Sequence, residues 1–166
     1  MPVSVDDIKA LREKTGAGVM DCRNALDEAN GELNTAIELL REKGLSKAKN
    51  RSGREIGQGL VESYIHGGRI GVLVEVNCET DFVARTDVFK ELAHDIAMQI
   101  ASMDPAGVTT DDLPDELAGE PRDLALLTQP FIKDPSKTIQ DLVNEAVNAT
   151  GERIEIRRFT RYAVSE

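Results

Sequence analysis

The sequence predicts an α+β protein, in which an N-terminal three-helix domain is followed by a core with a three-stranded antiparallel sheet and packed helices. Two patterns carry this prediction. Apolar residues recur at helical spacing through the first 44 positions. Two runs rich in Val, Ile and Tyr then flank Gly67 and Gly68, as in a β-hairpin. A run over 153–162 supplies the third strand, and 166 residues suit one domain or two small ones.

Three short helices are predicted in domain 1–44. Ser4 and Asp7 have the spacing of a capping box, in which the hydroxyl caps the first turn. A turn over 16–18 and a second break at Asn30 separate the three periodic stretches, and Gly44 is a suitable C-cap for the third. A bundle of this size is only marginally stable alone.

A basic segment follows this domain. Five bases and no acid occur between Lys43 and Arg54. The segment 45–58 is interpreted as a solvated linker or as a helical extension of the third helix. A nucleic-acid-binding tail is the less favoured alternative, because the run is short and lacks the aromatic residues on which bases stack.

The remaining residues, 59–166, form the predicted α+β core. In the second strand Val72, Val74 and Val76 share one face, whereas the opposite face is half polar. An amphipathic helix that begins near Asp87 follows this strand and ends before Pro105.

The second half of the core contains a loop, a helix and a strand. Residues 104–123 hold seven acids, one base and three prolines, which predicts a loop or a poorly ordered excursion. Thr138 and Asp141 begin a capped helix that Gly151 closes. The inward residues of the last strand change parity, and a bulge near Arg157-Arg158 would explain the change.

Composition and charge exclude several classes of protein. Acids outnumber bases 30 to 20, and the formal net charge of -10 argues against broad binding of a phosphate backbone. No apolar run approaches the roughly 20 residues that span a bilayer, and the N-terminus lacks a signal or transit pattern. We therefore expect a soluble cytoplasmic protein with reduced thiols and no membrane contact. No cofactor or metal site is expected, since two Cys and two His at wide spacing make a weak ligand set.

A thiol nucleophile is the only catalytic candidate that the sequence offers. Cys78, with His66 or His94, contains the residue types of a nucleophile and its base, but their pairing is not local and no orienting group is apparent. The favoured interpretation of Cys78 is a small residue at a strand end. Cys22 lies on the apolar face of the second helix and is expected in the core.

The most unusual feature is the segment Thr80, Asp81, Phe82 and Val83, which connects a buried strand to a helix. A Phe in such a connection either packs inward or contacts a partner, because an exposed apolar patch is unfavourable. The pattern alone slightly favours core packing. A rigid aromatic beside a carboxylate is also typical of an interface hot spot, so both interpretations stay open here.

Three separated blocks of sequence form a specific pattern. The first block is 11–22 (LREKTGAGVMDC) and the second is 71–84 (GVLVEVNCETDFVA). The third begins at 129 (QPF) and runs through 135–138 (PSKT), with RRF at 157–159. Together these blocks resemble the elongation factor Ts family, whose members exchange guanine nucleotides on elongation factor Tu.

The resemblance implies an N-terminal domain like the ubiquitin-associated three-helix fold, which contacts the nucleotide-binding domain of Tu. The matching positions are Leu11, Val19 and Met20, and Val19 stands where Met is common in the family. The expected partner is therefore Tu, in its GDP-bound and nucleotide-free forms. No direct contact with nucleic acid is expected.

The resemblance also assigns roles to the core. Asp81 and Phe82, within the block that includes Thr80 and Val83, match the pair that wedges into Tu and disturbs its magnesium and phosphate site. His66 matches a second signature, which the family places in the core near Tu. The implied function is GDP release without covalent chemistry.

The chain departs from long family members in two respects. It has one core repeat instead of two, and the acidic stretch 104–123 stands where a projecting helical hairpin is expected. We hypothesise that two chains pair into a homodimer, so that two single cores reproduce a double core. Two rivals stay open at this point: a Tu-binding module without exchange activity, and the thiol-dependent enzyme based on Cys78 and His66.

Overall fold

The computed structural model describes residues 3–50 and 53–166, which form two compact units. One unit holds the described residues before Glu55 together with Asn144–Arg153, and the other holds Glu55–Val143 and Ile154–Glu166. In chain order the elements are α1 (Val5–Thr15), α2 (Val19–Glu28), α3 (Leu33–Asn50), β1 (Gln58–His66), β2 (Ile70–Cys78), α4 (Asp81–Ala84), α5 (Asp87–Met103), α6 (Pro121–Leu124), β3 (Pro130–Phe131), β4 (Asp134–Thr138), α7 (Ile139–Thr150) and β5 (Glu155–Ala163). The α+β class, the three N-terminal helices and the antiparallel sheet are confirmed.

Helices α1, α2 and α3 pack around a small apolar core. The capping prediction for α1 is confirmed, because the Asp7 amide donates to Ser4 Oγ at 3.0 Å. The predicted turn after Thr15 and the break at Asn30 also occur. The buried cluster that these helices share consists of small and aliphatic residues: Leu11, Ala17, Cys22, Ala25, Leu26, Ala29, Ala36 and Leu40.

The predicted end of α3 at Gly44 is wrong. The helix continues to Asn50, so the alternative of a helical extension holds for the backbone of 45–50. A glycine ends a helix when it adopts a left-handed conformation, and Gly44 is not among the residues with positive φ. The predicted linker residue Arg51 and the side chains of Lys47 and Lys49 lie outside the described residues.

The three-stranded sheet has the order β1-β2-β5, and both pairings are antiparallel. Gln58 pairs with Cys78, and His66 pairs with Ile70, so the two ends of the hairpin are far apart. The predicted bulge in β5 is confirmed. Glu75 pairs with Arg158 but Val76 pairs with Ile156, so one residue of β5 is extra.

Helix α5 covers one face of this sheet. Val72, Val74 and Val76 are buried on that face, as their alternation predicts. The facing side of α5 is fully or nearly fully buried along its length, at Phe89, Leu92, Ala93, Ile96, Ala97 and Ile100. The opposite face of the sheet stays accessible in the described part of the chain.

A second, two-stranded sheet formed by β3 and β4 was not predicted. It is very short, and its prolines hide the alternation that would identify a strand. Gln99, buried on α5, holds it in place: its Nε2 donates to the Pro130 carbonyl at 3.0 Å and its Oε1 accepts from the Ile132 amide at 2.9 Å.

The acidic segment is a loop that contains two short helical turns, at Thr110–Asp112 and in α6. Its two ends meet, because the Ala106 amide donates to the Leu124 carbonyl and the Leu126 amide donates to the Gly107 carbonyl, both at 2.9 Å. The segment therefore leaves the core and returns to it at one place.

The capped start of α7 is confirmed. The Asp141 amide donates to Thr138 Oγ1 at 3.2 Å, and the Thr138 amide donates to the Asp141 carboxylate at 2.9 Å. Gly151 follows the helix with φ of +75°, as its predicted closing role requires.

Candidate functional site

The segment after β2 forms a short, well-fixed helix. Thr80 caps α4 because its Oγ1 accepts from the Val83 amide at 3.3 Å. Thr86, at the other end, caps α5: its Oγ1 accepts from the Phe89 amide at 3.3 Å and donates to the Val83 carbonyl at 2.7 Å. Both ends of α4 are thus held by side-chain hydrogen bonds.

Phe82 projects from this helix into solvent. The residue is 78% exposed, whereas Ala84 on the same short helix is buried. The interpretation of Phe82 as a core residue is therefore wrong, and the alternative of a binding anchor stays a prediction. An aromatic held outward on fixed backbone loses little conformational freedom when a partner covers it.

Charged groups lie next to Phe82. The Arg85 guanidinium Nη2 lies 3.1 Å from Asp81 Oδ2, and both side chains are substantially exposed. The exposed surface of α4 thus combines one aromatic ring with an ion pair, which we call the α4 surface (Asp81, Phe82 and Arg85).

The thiol at the end of β2 supports this helix rather than a catalytic pair. Cys78 is fully buried, and its Sγ donates to the Thr80 carbonyl at 3.1 Å. His66 pairs with Ile70 at the opposite end of β2. Eight residue steps of strand place the two ends roughly 26 Å apart. The structure therefore contradicts a catalytic pair of Cys78 and His66 within one chain.

His66 instead belongs to a cluster at the hairpin end of β1. The Tyr64 hydroxyl lies 3.1 Å from His66 Nδ1, and the Tyr64 ring packs edge-on against His94 with centroids 5.9 Å apart. His94 Nδ1 lies 3.9 Å from a Glu62 carboxylate oxygen. This region is separate from the α4 surface, so the structure does not bring His66 together with Phe82.

The predicted residues of the N-terminal unit differ in exposure. Val19 and Met20 begin α2 and are 50% and 61% exposed. Leu11 is fully buried among the helices, so its side chain offers no surface to a partner in the free chain. Its predicted contact with Tu stays a prediction that would require a change in this unit.

The open face of the three-stranded sheet carries an apolar patch that the sequence analysis did not identify residue by residue. In one cross-strand row Ile65, Gly71 and Tyr162 lie side by side, and in the next row Leu73 is flanked by small polar residues. Ile65, Leu73 and Tyr162 are all exposed. We call these three residues, with the exposed Val164, the open-face patch.

An ion-pair cluster borders this patch. Glu75 lies in the next row of the same face, where it accepts from Arg158 Nε at 2.7 Å and lies 3.3 Å from Arg157 Nη1. The hydrogen bond from Arg158 holds the pKa of Glu75 below its usual value, although partial burial opposes this shift.

Within residues 3–50 and 53–166, no group of three or more His, Cys, Asp and Glu side chains is arranged to hold a metal ion. The same described ranges contain no helix that is long and apolar enough to cross a membrane. The features that stand out in these ranges are two exposed surfaces, the α4 surface and the open-face patch.

Comparison with known proteins identifies the family. The family model described as "Elongation factor TS" matches residues 5–125. The chain is 46% identical over 195 residues to "Elongation factor Ts" of Moorella thermoacetica, covering 99% of this chain and 96% of the relative. It is 48% identical over 190 residues to "Elongation factor Ts" of Carboxydothermus hydrogenoformans, covering 96% of this chain and 88% of the relative. It is 45% identical over 197 residues to "Elongation factor Ts" of Coprothermobacter proteolyticus, covering 100% of both chains. The chain therefore belongs to the elongation factor Ts family.

These alignments are longer than the 166 residues of the chain. Since nearly all of the chain is aligned, the relatives contain additional residues between matched positions. The family model match ends at residue 125, next to the point where the acidic segment returns to the core.

Proposed function

We propose that this chain binds elongation factor Tu in its GDP-bound and nucleotide-free forms and accelerates GDP release, as a nucleotide exchange factor without covalent chemistry. The observation that carries the proposal is the exposure of Phe82 on a helix whose two ends are capped. An aromatic side chain in this position is suited to enter a pocket of a partner.

Exchange follows from thermodynamic linkage. If the chain weakens the affinity of Tu for GDP, GDP weakens the affinity of Tu for the chain by the same factor. A thousandfold weakening corresponds to about 4 kcal/mol. Burial of one Phe side chain contributes about 1.5–3 kcal/mol, so Phe82 supplies much of this coupling but not all of it.

Each residue of the block 80–83 has a part in this mechanism. Thr80 fixes the start of α4 through its hydrogen bond with the Val83 amide. Phe82 wedges into Tu, and Asp81 places a negative charge where it disturbs the magnesium and phosphate site. Val83, half-buried, holds α4 against the core.

The N-terminal unit supplies affinity. Val19 and Met20 are adjacent exposed apolar side chains at the start of α2, and their burial against Tu stabilises the complex. Leu11 is buried in the free chain, so its contact with Tu, which we retain as part of the proposal, requires a change in this unit. The proposed domain division is 1–44, 45–58 and 59–166, with α3 continuing to Asn50 across the first boundary. His66 forms a second contact with Tu at the hairpin end of β1. The cytoplasm, where translation takes place, is the proposed location.

We further propose that two chains pair through their open sheet faces. An accessible sheet face with Ile65, Leu73 and Tyr162 exposed is unfavourable in water and becomes favourable when a second copy covers it. The pairing would place two single cores back to back, which is the arrangement expected of a chain with one core repeat. Sedimentation equilibrium should show a dimer, and a monomer with full exchange activity would contradict this part of the proposal.

The rival function is a Tu-binding module without exchange activity. The shorter length of the chain relative to its relatives favours it, whereas the exposed and fixed Phe82 favours exchange. The discriminating experiment measures release of a fluorescent GDP from Tu at increasing concentrations of the chain, with binding measured in parallel. Saturable acceleration supports exchange, and binding without acceleration supports the rival.

A further inference from the structure

Arg85 interacts with the one acidic residue of the α4 surface. It directly follows α4, and its guanidinium Nη2 lies 3.1 Å from Asp81 Oδ2, four residues earlier. Its backbone amide also donates to the Phe82 carbonyl at 3.3 Å. The backbone of Arg85 is therefore held by the same turn that presents Phe82.

This ion pair is too exposed to be explained by stability. The side chain of Arg85 is 76% exposed and that of Asp81 is 49% exposed. Pairs of this kind contribute little to folding, because water and salt screen them and two side chains must be ordered. A different consequence of the contact is that the Asp81 carboxylate has a preferred position before any partner arrives.

The spacing places the pair beside the aromatic ring. Residues four apart lie on the same side of a helix, and the next residue is rotated by about 100°. Asp81 and Arg85 thus form one side of α4, while Phe82 projects from the adjoining side. A partner that covers Phe82 also meets the carboxylate that Arg85 holds.

We propose that Arg85 is a positioning residue for Asp81 in nucleotide exchange. It orients the carboxylate through the guanidinium contact and so lowers the conformational entropy that Asp81 loses on docking. This inference rests on the proposed function. Ordering one side chain in advance changes the affected rate or equilibrium constant by a factor of roughly two to ten.

A double-mutant cycle tests this role, with Asp81→Asn, Arg85→Gln and the double variant measured for GDP release from Tu at saturating chain. If Arg85 acts through Asp81, each single variant slows release, and the double variant is no slower than Asp81→Asn alone. Arg85→Lys, which keeps the charge, should restore part of the lost rate. The Arg85-dependent factor should also shrink as salt is raised, because exposed charges are screened.

The chain offers a matched control in Arg122. Its side chain is 78% exposed and lies 3.7 Å from an Asp123 carboxylate oxygen, so Arg122→Gln removes the same charge from a similar pair. It should leave release unchanged, which separates positioning from a general effect of net charge. Thermal unfolding of each variant should match that of the wild type, since the pair contributes little to stability.

Three outcomes would overturn the inference. If Arg85→Gln accelerated GDP release as much as the wild-type chain does, Arg85 would not act through Asp81. The same conclusion would follow if the two single losses were independent and multiplied in the double variant. If Asp81→Asn accelerated GDP release as much as the wild-type chain does, both this inference and the proposed role of Asp81 would be rejected. If the wild-type chain itself did not accelerate GDP release, the proposed exchange function would be rejected instead, so the two failures are distinguishable.

Discussion

Two aromatic side chains are almost equally exposed, Phe82 at 78% and Tyr162 at 76%, but their surroundings differ. Phe82 projects alone from a capped turn, beside the ion pair of Asp81 and Arg85. Tyr162 lies on the open sheet face, in one row with Ile65 and Gly71. The first arrangement fits a pocket in a partner, and the second fits another flat apolar face.

The comparison teaches that exposure alone does not identify the kind of partner. A single ring on fixed backbone concentrates its burial energy at one point, as interface hot spots do. A ring within a sheet face shares its contact with cross-strand neighbours, so the whole face must be covered at once. The two surfaces should therefore respond differently to substitution.

The largest effect should come from a charge placed in the open-face patch. Leu73→Asp would bury an unpaired carboxylate between two copies, which costs about 3–5 kcal/mol and should raise the dimer dissociation constant at least about a hundredfold. Sedimentation equilibrium measures this change. Leu117→Asp, at an exposed apolar residue in the acidic segment, is the control and should not alter self-association. If the wild-type chain were monomeric at all concentrations, the open-face patch would not be a dimer surface, and the proposed difference between it and the α4 surface would be lost.

A smaller effect should follow truncation of Met20. Met20→Ala removes exposed apolar surface that we expect Tu to cover, and should raise the half-saturating concentration of the chain by about tenfold. The saturating rate of GDP release should stay unchanged, unlike that of a Phe82 variant. Val5→Ala, which truncates an exposed apolar residue of α1, should change neither quantity. A lower saturating rate for Met20→Ala would assign it to the exchange step.

Loss of the α4 cap should have a moderate effect. Thr80→Ala removes the hydrogen bond with the Val83 amide and should lower the free energy of unfolding by about 0.5–2 kcal/mol. GDP release should also slow, because Phe82 is then held less firmly. Thr109→Ala removes the hydrogen bond from Thr109 Oγ1 to the Asp112 carboxylate in the acidic segment and should affect stability alone. Urea unfolding and GDP release assays check both variants. If Thr80→Ala accelerated GDP release as much as the wild type, Phe82 would not need the capped helix for its action.

The smallest effect concerns acid stability beside the open-face patch. Arg158 lowers the pKa of Glu75 in the folded chain, so the stability gained from this contact is present above the usual Glu value of 4.5. It is lost as the pH falls through the lowered pKa. Glu75→Gln should therefore flatten the fall in thermal stability as the pH drops from the usual Glu value through the lowered pKa. Identical pH profiles for the two chains would contradict this assignment.

Features fixed by local chemistry could be predicted from the sequence. The capping pairs Ser4–Asp7 and Thr138–Asp141, the alternation of β2 and the bulge in β5 each depend on a few neighbouring residues. Gly44 misled the prediction because the same residue can end a helix or continue one, and only its backbone conformation decides.

Features that depend on distant contacts could not be predicted in this way. The β3–β4 sheet is held by Gln99, about thirty positions earlier in the chain, and no local pattern indicates that contact. Phe82 could be identified as unusual, but its exposure depends on how α4 packs against the core. The separation of His66 from Phe82 is different, because the predicted hairpin turn directly after His66 already fixes the strand register that keeps them apart.

The most direct test of the central claim is GDP release from Tu with Phe82→Ala at saturating concentration, with Phe82→Leu as an intermediate. Loss of the burial energy of the ring, about 1.5–3 kcal/mol, should slow release by roughly 10- to 150-fold while binding persists. The release rate with Phe82→Leu should lie between those of the wild type and Phe82→Ala. Equal release rates for the wild type and Phe82→Ala, with both chains bound to Tu, would contradict the assignment of Phe82 as the residue that drives exchange.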